Sequence, residues 1–416
     1  MTENPRIHLP RLRKDLEDLA RIGRTAHGGV SRPALSPADA QGRKWLLRRL
    51  EAAGLRARVD GAGNISGRLE TPGSSAPAVL AGSHIDSVPN GGRFDGALGV
   101  LAALEAVRTI RESGVRTRHP LEVIAFTDEE GRFGGFFGSK AFTGKMTRGE
   151  IEASRDPQGV RLPDALKAAG LTPAGALRAG RDLKDYLAYL ELHVEQGPVL
   201  ETAGAQIGVV TGIVGLWKFE VTFHGRPDHA GTTPFPLRKD AFLGAAEFAA
   251  GLRDLIRRSG TPISVATIGY CALSPGAANI VPEKARFTLD MRDLSPAALA
   301  RMRKAVRASL REIARRHGLQ ATLEQTFAAR AVKLSPKVRS ALRRASERVG
   351  ARWREMHSGA GHDAQILAGA MPAGLFFVPS VGGRSHCPDE LTRWRDVETG
   401  ANVMLHALLD LAAARG

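Results

Sequence analysis

The sequence predicts an α/β fold, a mostly parallel sheet flanked by helices and interrupted by a smaller inserted domain. Three observations carry that expectation. Apolar runs of strand length alternate with helical patterns before residue 212 and again after residue 329, as in layered α/β domains. Between those limits the pattern changes, and strands with one wet face join two helices in the order β-α-β-β-α-β, a ferredoxin-like unit complete in itself. At 416 residues the chain also exceeds the ~150 residues typical of one domain. The expected division is an outer domain of 1–212 and 329–416 around an inserted domain of 213–328.

The elements follow in order. Past "DLEDLARIG", a helix is expected from Ser36 to Ala53: Ser36 suits the N-cap, Pro37 the first turn and Gly54 the exit. "LRARVD" and "AVLAG" read as strands. A helix from about Ala97 to Ser113 repeats Val100, Leu104 and Val107 along one face, and "LEVIAFT" at 121–127 is a buried strand. In the inserted stretch, "WKFEVTFH" sets Trp217, Phe219, Val221 and Phe223 against Lys218, Glu220, Thr222 and His224, the mark of a half-buried strand. A helix at about 239–258, strands at "ISVATIGY" and "ARFTLDMR", a helix from Pro296 to His317 and a strand at "QATLEQTF" complete the unit. "LFFVPS" at 375–380 returns to the buried-strand pattern.

With 43% hydrophobic and 25% charged residues, the chain can bury a large core in water. No stretch reaches the ~18 apolar residues of a membrane span, and the first thirty residues lack a continuous apolar segment. A cytoplasmic protein without a membrane partner is therefore expected. Cys271 and Cys387, far apart in a cysteine-poor chain, argue against a disulfide framework. The net charge of +16 raises nucleic-acid binding, which wants a basic patch interleaved with aromatics. Instead the densest basic runs, "RMRKAVRASLREIARRHG" and "KVRSALRRASERVG", have helical spacing with one apolar face. They read as solvated helix surface, and no nucleic-acid partner is expected.

The chemistry concentrates in short motifs. "GSHIDSVPNGGRFDGALGV" at 82–100 sets His84, Asp86 and Asp95 among glycines straight after an apolar run. "FTDEEGRF" brings Asp128, Glu129 and Glu130 to the end of another strand, "ELHVEQGP" brings His193, and "GGRSHCPDE" brings His386. In open α/β sheets, sites form at the carboxyl ends of strands. Imidazoles with carboxylates suit zinc, manganese, cobalt or nickel better than calcium or magnesium, and the early motifs hold no cysteine for a closed thiolate site. Taken singly, a histidine is usually a satisfied or solvated one, and a Glu-Glu pair is usually surface. The recurrence is what is specific: three histidines and two carboxylates suffice for two metals sharing one bridging carboxylate, and Asp95 is the natural bridge.

These motifs, together with "DHAGTTP", "SGAGHDA" and "FVPSVGGRSH", resemble those of the zinc-peptidase/aminoacylase superfamily. Within it they are most similar to the hydantoinase/carbamoylase branch of N-carbamoyl-L-amino-acid hydrolases, allantoate amidohydrolases and beta-ureidopropionases. The resemblance runs from about residue 15 to the C-terminus. Histidine in "HVEQGP", where peptidase members typically use an acidic ligand, favours this branch. It implies a dimetal catalytic domain, an inserted ferredoxin-like lid and dimerisation domain, and a homodimer with two divalent ions per subunit.

Residue by residue, the resemblance implies His84, Asp95 and His193 around one ion and Asp95, Glu130 and His386 around the other. Asp86 would orient the His84 imidazole, and Glu129 would act as general base and then acid. His229 in "DHAGTTP" would stabilise the oxyanion, in its own subunit or across a dimer. Gln196, Asn279 in "ANIVP", Arg292 in "LDMRD" and Gly361 in "GAGHD" would contact substrate. A guanidinium fork such as Arg292 grips a carboxylate in two places, with a surface ion pair to Asp290 or Asp293 as the competing reading. Two residues depart from the family pattern, Arg384 replacing an aliphatic residue and Phe235 a methionine. The implied reaction is hydrolysis of the C–N bond of a ureido group on a small carboxylate, releasing ammonia and carbon dioxide. Allantoate and 3-ureidopropionate are alternative substrates, and aminoacylase or dipeptidase chemistry is the nearest alternative reaction. A catalytically silent, metal-dependent binding protein is the alternative from another class.

Overall fold

Residues 5–413 are described by a computed structural model. Its contacts divide the chain into one unit of Met1–Thr211 with Lys333–Gly416 and another of Gly212–Val332. The strands before the insertion are β1 (Arg56–Val59), β2 (Ile65–Leu69), β3 (Ala78–His84), β4 (Leu121–Phe126), β5 (Tyr186–Val194) and β6 (Ile207–Ile213). The insertion carries β7 (Gly215–His224), β8 (Val265–Thr267), β9 (Cys271–Ser274), β10 (Lys284–Asp293) and β11 (Gln320–Ala329). The chain returns through β12 (Val332–Lys333), β13 (Trp353–Ser358) and β14 (Ala373–Val378).

The fold is mixed α/β. Across the larger sheet the order is β1-β2-β4-β3-β5-β14-β6-β12, with β13 also paired to β6. The centre, β4-β3-β5-β14, is parallel, whereas the pairings β1–β2, β2–β4 and β14–β6 are antiparallel. Strands β3, β4 and β14 are buried at every residue, as expected of parallel strands covered on both faces. The crossover from β3 to β4 is the helix Ala97–Glu112, buried at every residue from Ala97 to Ile110, Glu105 and Arg108 included. Register then levels the strand ends: His84 of β3 pairs with Phe126 of β4, and His193 of β5 with Phe377 of β14. The chain leaves four central strands side by side, and that edge is where the motifs lie.

Two expected helices appear with small shifts, as Pro37–Ala52, whose N-cap Ser36 accepts the Asp39 amide, and Ala97–Glu112. The basic helix Pro296–His317 buries Leu299, Met302, Val306 and Leu310, and Pro336–Arg348 buries Val338, Ala341 and Leu342, so their arginines form the outer faces. Cys271 and Cys387 are free thiols. Among the described residues, no helix is long and apolar enough to cross a membrane.

In the inserted unit the sheet order is β11-β7-β10-β8, with β9 also on β10. Phe219, Val221 and Phe223 of β7 pack with Phe248 and Leu252 of the helix Ala241–Ser259 and with Met302 and Val306. One expected strand differs. "ISVATIGY" does not run through as a strand: β8 pairs with Asp290–Arg292, β9 with Lys284–Phe287, and the link between them contains Gly269. A glycine has no side chain to hold the pleat, and the pairing breaks there.

Candidate metal centre and active site

β3 ends on His84, and β5 presents His193 one residue before its end. Asp95 stands two residues before the helix Ala97–Glu112. The intervening N-cap, Gly96, has φ +62°, and a Cβ there would stand 2.3 Å from the His84 ring. Only glycine lets the chain turn so close to the imidazole.

The backbone sets both rings. His84 Nδ1 lies 3.0 Å from the Asp86 carbonyl oxygen, and His193 Nδ1 lies 2.9 Å from that of Val194. A carbonyl only accepts, so each ring carries its hydrogen on Nδ1 and turns the Nε2 lone pair inward. His193 Nε2 accordingly accepts the Gly96 amide at 3.2 Å. Both Nε2 atoms stand near Asp95 Oδ1, at 3.5 Å from His84 and 3.2 Å from His193. The other oxygen, Oδ2, faces His386 Nε2 at 3.4 Å, and Glu130 Oε2 lies 3.5 Å from the same nitrogen. The ligand atoms of His84, Asp95 and His193 lie within 4.8 Å of one another, as do those of Asp95, Glu130 and His386.

This arrangement fits metal. An imidazole lone pair facing a carboxylate oxygen is acceptor against acceptor, which calls for a cation between them. His84 Nε2 is buried and has no hydrogen-bond partner. Two ligands at ~2.1 Å from a tetrahedral ion stand about 3.4 Å apart, the spacing seen here. Imidazole with carboxylate is the donor set of zinc and its neighbours in the first transition row.

Glu129 is buried beside the cluster, its Oε2 3.6 Å from His84 Nε2. Burial drives its carboxyl well above the ordinary range; His84 opposes this, while Asp363, Glu130 and Asp95 add to it. Burial and then Asp95 push Glu130 up to about 8, and the hydrogen bond to Asp95 raises His386 to about 9. Asp95 is buried too, but the nearness of His193, His386 and His84 holds it well below the usual carboxylate range.

Asp86 is placed differently from the expectation. Its carbonyl, not its carboxylate, meets His84 Nδ1, because the main chain turns beneath the ring as it leaves β3. The carboxylate Oδ1 is 3.7 Å from that nitrogen, and Oδ2 accepts the Glu130 amide at 3.2 Å. Gln196 is also engaged: with φ +59°, it donates Nε2 to Asp95 Oδ2 at 2.8 Å. Gly361 admits a neighbouring side chain, since a Cβ there would stand 2.6 Å from Phe136 Cζ.

The remaining expected residues lie in the inserted unit. His229 is exposed, and its Nδ1 accepts the amides of Gly231 at 3.0 Å and Thr232 at 3.2 Å, which leaves the hydrogen on Nε2. Asn279 is beside it, its carbonyl accepting the Ala230 amide at 2.9 Å. Arg292 grips Asp290 through Nε at 2.9 Å and Nη2 at 3.1 Å, the ion-pair reading, because residues two apart share one face of β10. Phe235 is 75% exposed, with the Arg238 guanidinium 4.4 Å from its ring centre. In the larger unit, Arg384 pairs with Asp389 at 2.8 Å.

Four buried residues around the centre escaped the sequence reading. Glu191 accepts Ser83 Oγ at 2.7 Å and the Ala364 amide at 2.8 Å, tying β5 to β3 and to the helix Asp363–Ala368. Asp363 opens that helix, and His362 sets its ring edge-on to His193, 4.5 Å between centres. Glu390 accepts both the Phe94 and Asp95 amides at 3.0 Å through Oε1, and Ser385 Oγ at 2.6 Å through Oε2. A carboxylate inside the otherwise apolar "YLAYLELHV" was the visible signal for Glu191.

Comparison with known proteins places the chain in a family. Residues 80–410 match the peptidase family M20/M25/M40, and the chain belongs to that family. Within it the chain falls with the hydantoinase/carbamoylase amidases. It is 40% identical over 405 residues to the N-carbamoyl-L-amino acid amidohydrolase of Geobacillus stearothermophilus, covering 97% of this chain and 98% of the relative. It is 36% identical over 397 residues to the allantoate amidohydrolase of Escherichia coli K12, covering 95% and 96%. A solved hydantoinase/carbamoylase family amidase from Burkholderia multivorans superposes with a TM-score of 0.91 at 39% identity, covering 99% of each chain.

Proposed function

We propose that the chain is a metal-dependent amidohydrolase that cleaves the C–N bond of a ureido group on a small carboxylate of the N-carbamoyl-L-amino-acid kind. The observation that carries this reading is Asp95, with one oxygen toward His84 and His193, the other toward His386, and Glu129 buried alongside. His84, Asp95 and His193 would hold one divalent ion, and Asp95, Glu130 and His386 a second. Two such ions, when bound, lower the pKa of water and polarise a carbonyl.

Glu129 takes a proton from the attacking water and returns it to the departing nitrogen. The burial that raises its carboxyl suits it to hold that proton near neutral pH. The water oxygen bonds to the ureido carbon, the C–N bond breaks, and the net products are an amine, ammonia and carbon dioxide. His229 supplies its Nε2 hydrogen to the oxyanion. Gln196, Asn279, Arg292 and Gly361 form the substrate contacts, with the Arg292 fork exchanging Asp290 for the substrate carboxylate.

The stretch 1–212 with 329–416 is the catalytic domain, and 213–328 is a ferredoxin-like lid and dimerisation domain. The order β11-β7-β10-β8 supports the second assignment. Phe242, Leu243, Val265 and Tyr270, apolar yet exposed there, support a homodimer.

The test is an assay of ammonia released from N-carbamoyl-amino acids, 3-ureidopropionate and allantoate by protein supplied with zinc, manganese, cobalt or nickel. Metal-dependent ammonia from a ureido compound is expected. Acetate from N-acetyl-amino acids without any ammonia would move the protein to aminoacylase chemistry.

A further inference from the structure

We infer that Arg384 selects ureido substrates that carry a second carboxylate, the N-carbamoyl derivatives of acidic amino acids; this rests on the proposed reaction. A cavity of about 360 Å³ is lined by Gln196, Gly383, Arg384, Ser385, His386 and Cys387. It adjoins the candidate metal cluster, since His386 lines it and Gln196 Nε2, which donates to Asp95 Oδ2, lies 3.2 Å from His386 Nε2. Arg384 is the only arginine or lysine among those residues, and no aspartate or glutamate is among them. The cavity is an open cleft with room for one side chain of a substrate, and its one cation stands two residues from a proposed ligand.

The loop that carries Arg384 is held. Gly382 and Gly383 have φ +63° and +66°, and a Cβ on Gly383 would stand 2.8 Å from Pro198 N, so the loop packs directly on the segment that follows Gln196. The Gly382 amide donates to Glu201 at 2.7 Å, and the Gln196 amide to Ser380 Oγ at 3.0 Å. These bonds fix the base of the arginine relative to the cluster. Its guanidinium meets Asp389, in a pair whose side chains are 56% and 66% exposed. Exposed pairs hold weakly, so an incoming carboxylate can take the place of Asp389 and engage the fork in two places. A chain of net charge +16 draws such dianions toward it.

The test compares kcat/KM for N-carbamoyl-L-glutamate with that for N-carbamoyl-L-glutamine, which keeps the α-carboxylate and the shape but has a neutral side-chain amide. The wild-type ratio is expected at about tenfold or more, the scale of one charge-assisted pair. Arg384→Leu should lower the ratio by about the same factor, chiefly through the KM of the glutamate compound. Asp389→Asn, which removes the competing carboxylate, should raise it, and this variant decides the matter if Arg384→Leu melts early. A wild-type ratio at or below one, a ratio indifferent to Arg384→Leu, or a ratio that Asp389→Asn leaves unchanged or lowers would overturn the inference. Failure of the metal-loaded protein to hydrolyse any ureido compound would instead overturn the proposed reaction, and this inference with it.

Discussion

In the larger unit, His84 and His193 are buried and give their Nδ1 hydrogens to the carbonyls of Asp86 and Val194. In the inserted unit, His229 is exposed, and its Nδ1 receives hydrogens from the amides of Gly231 and Thr232. One side chain is thus set by the local backbone into opposite tautomers. The buried rings aim a lone pair, which is what a ligand needs; the exposed ring aims an N–H, which is what an oxyanion needs. The burial differs for the same reason. Lone pairs facing a carboxylate hold their place only in a rigid pocket, whereas an N–H donor sits comfortably in water until negative charge reaches it.

The contrast breaks first if the buried cluster does not hold metal. Chelation should abolish ammonia release, and Asp95→Asn, which strikes both triads, should lower it on the order of 10³-fold or more while metal content falls. Full activity in protein shown free of metal by atomic emission would refute the site. Glu129→Gln should keep its metal and lose about 10²–10⁴-fold in kcat. Metal lost together with activity would make Glu129 a ligand instead of a base. His229→Ala should cost about 10²–10³-fold in kcat with metal content unchanged. A variant that loses metal would show that His229 belongs with the buried histidines.

Much of the buried half of this contrast was legible in the sequence, for a physical reason. A histidine or an acidic pair directly after an apolar run, beside glycines, lies at a strand end, and that is where the structure has His84, Glu129 and Glu130. The layer beneath them was not. Glu191 meets Ser83 and Ala364 across 108 and 173 residues, and Glu390 reaches the Phe94 amide across 296, distances at which local pattern carries no information. The Asp86 carbonyl beneath the His84 ring was not foreseen, because residue types do not show whether a carbonyl or a carboxylate will stand there. The fold followed the same rule. β3, β4 and β14 were visible as apolar runs, while the break between β8 and β9 depends on pairing to β10.

Glu390 offers a finer test of rigidity in the buried unit. It holds the consecutive amides of Phe94 and Asp95 and, through Ser385, the loop that ends in His386. Glu390→Ala should weaken metal binding about 10–100-fold, the range for residues that orient ligands. Glu390→Gln should recover most of it, because its carbonyl can still accept both amides. Equal metal affinity in wild type and Glu390→Ala, measured by competition with a chelator, would show that the cluster holds its shape without the clamp.

Arg238 is the counterpart in the inserted unit and should matter least. Its Nε donates to the Thr233 carbonyl at 2.8 Å and its Nη2 to that of Ala230 at 2.6 Å, which staples the turn whose amides set the His229 tautomer. The staple is half-exposed, and water can replace each bond, so each contributes about 0.5–1.5 kcal/mol. Loss of one such bond's worth of order at His229 is about two- to tenfold in rate. Arg238→Ala should therefore lower kcat by that factor, with KM and metal content little changed, and Arg238→Lys, which can still reach one carbonyl, should fall between. A loss as large as that of His229→Ala would mean that the turn has no order of its own, and that the exposed histidine depends on its scaffold as strictly as the buried ones do.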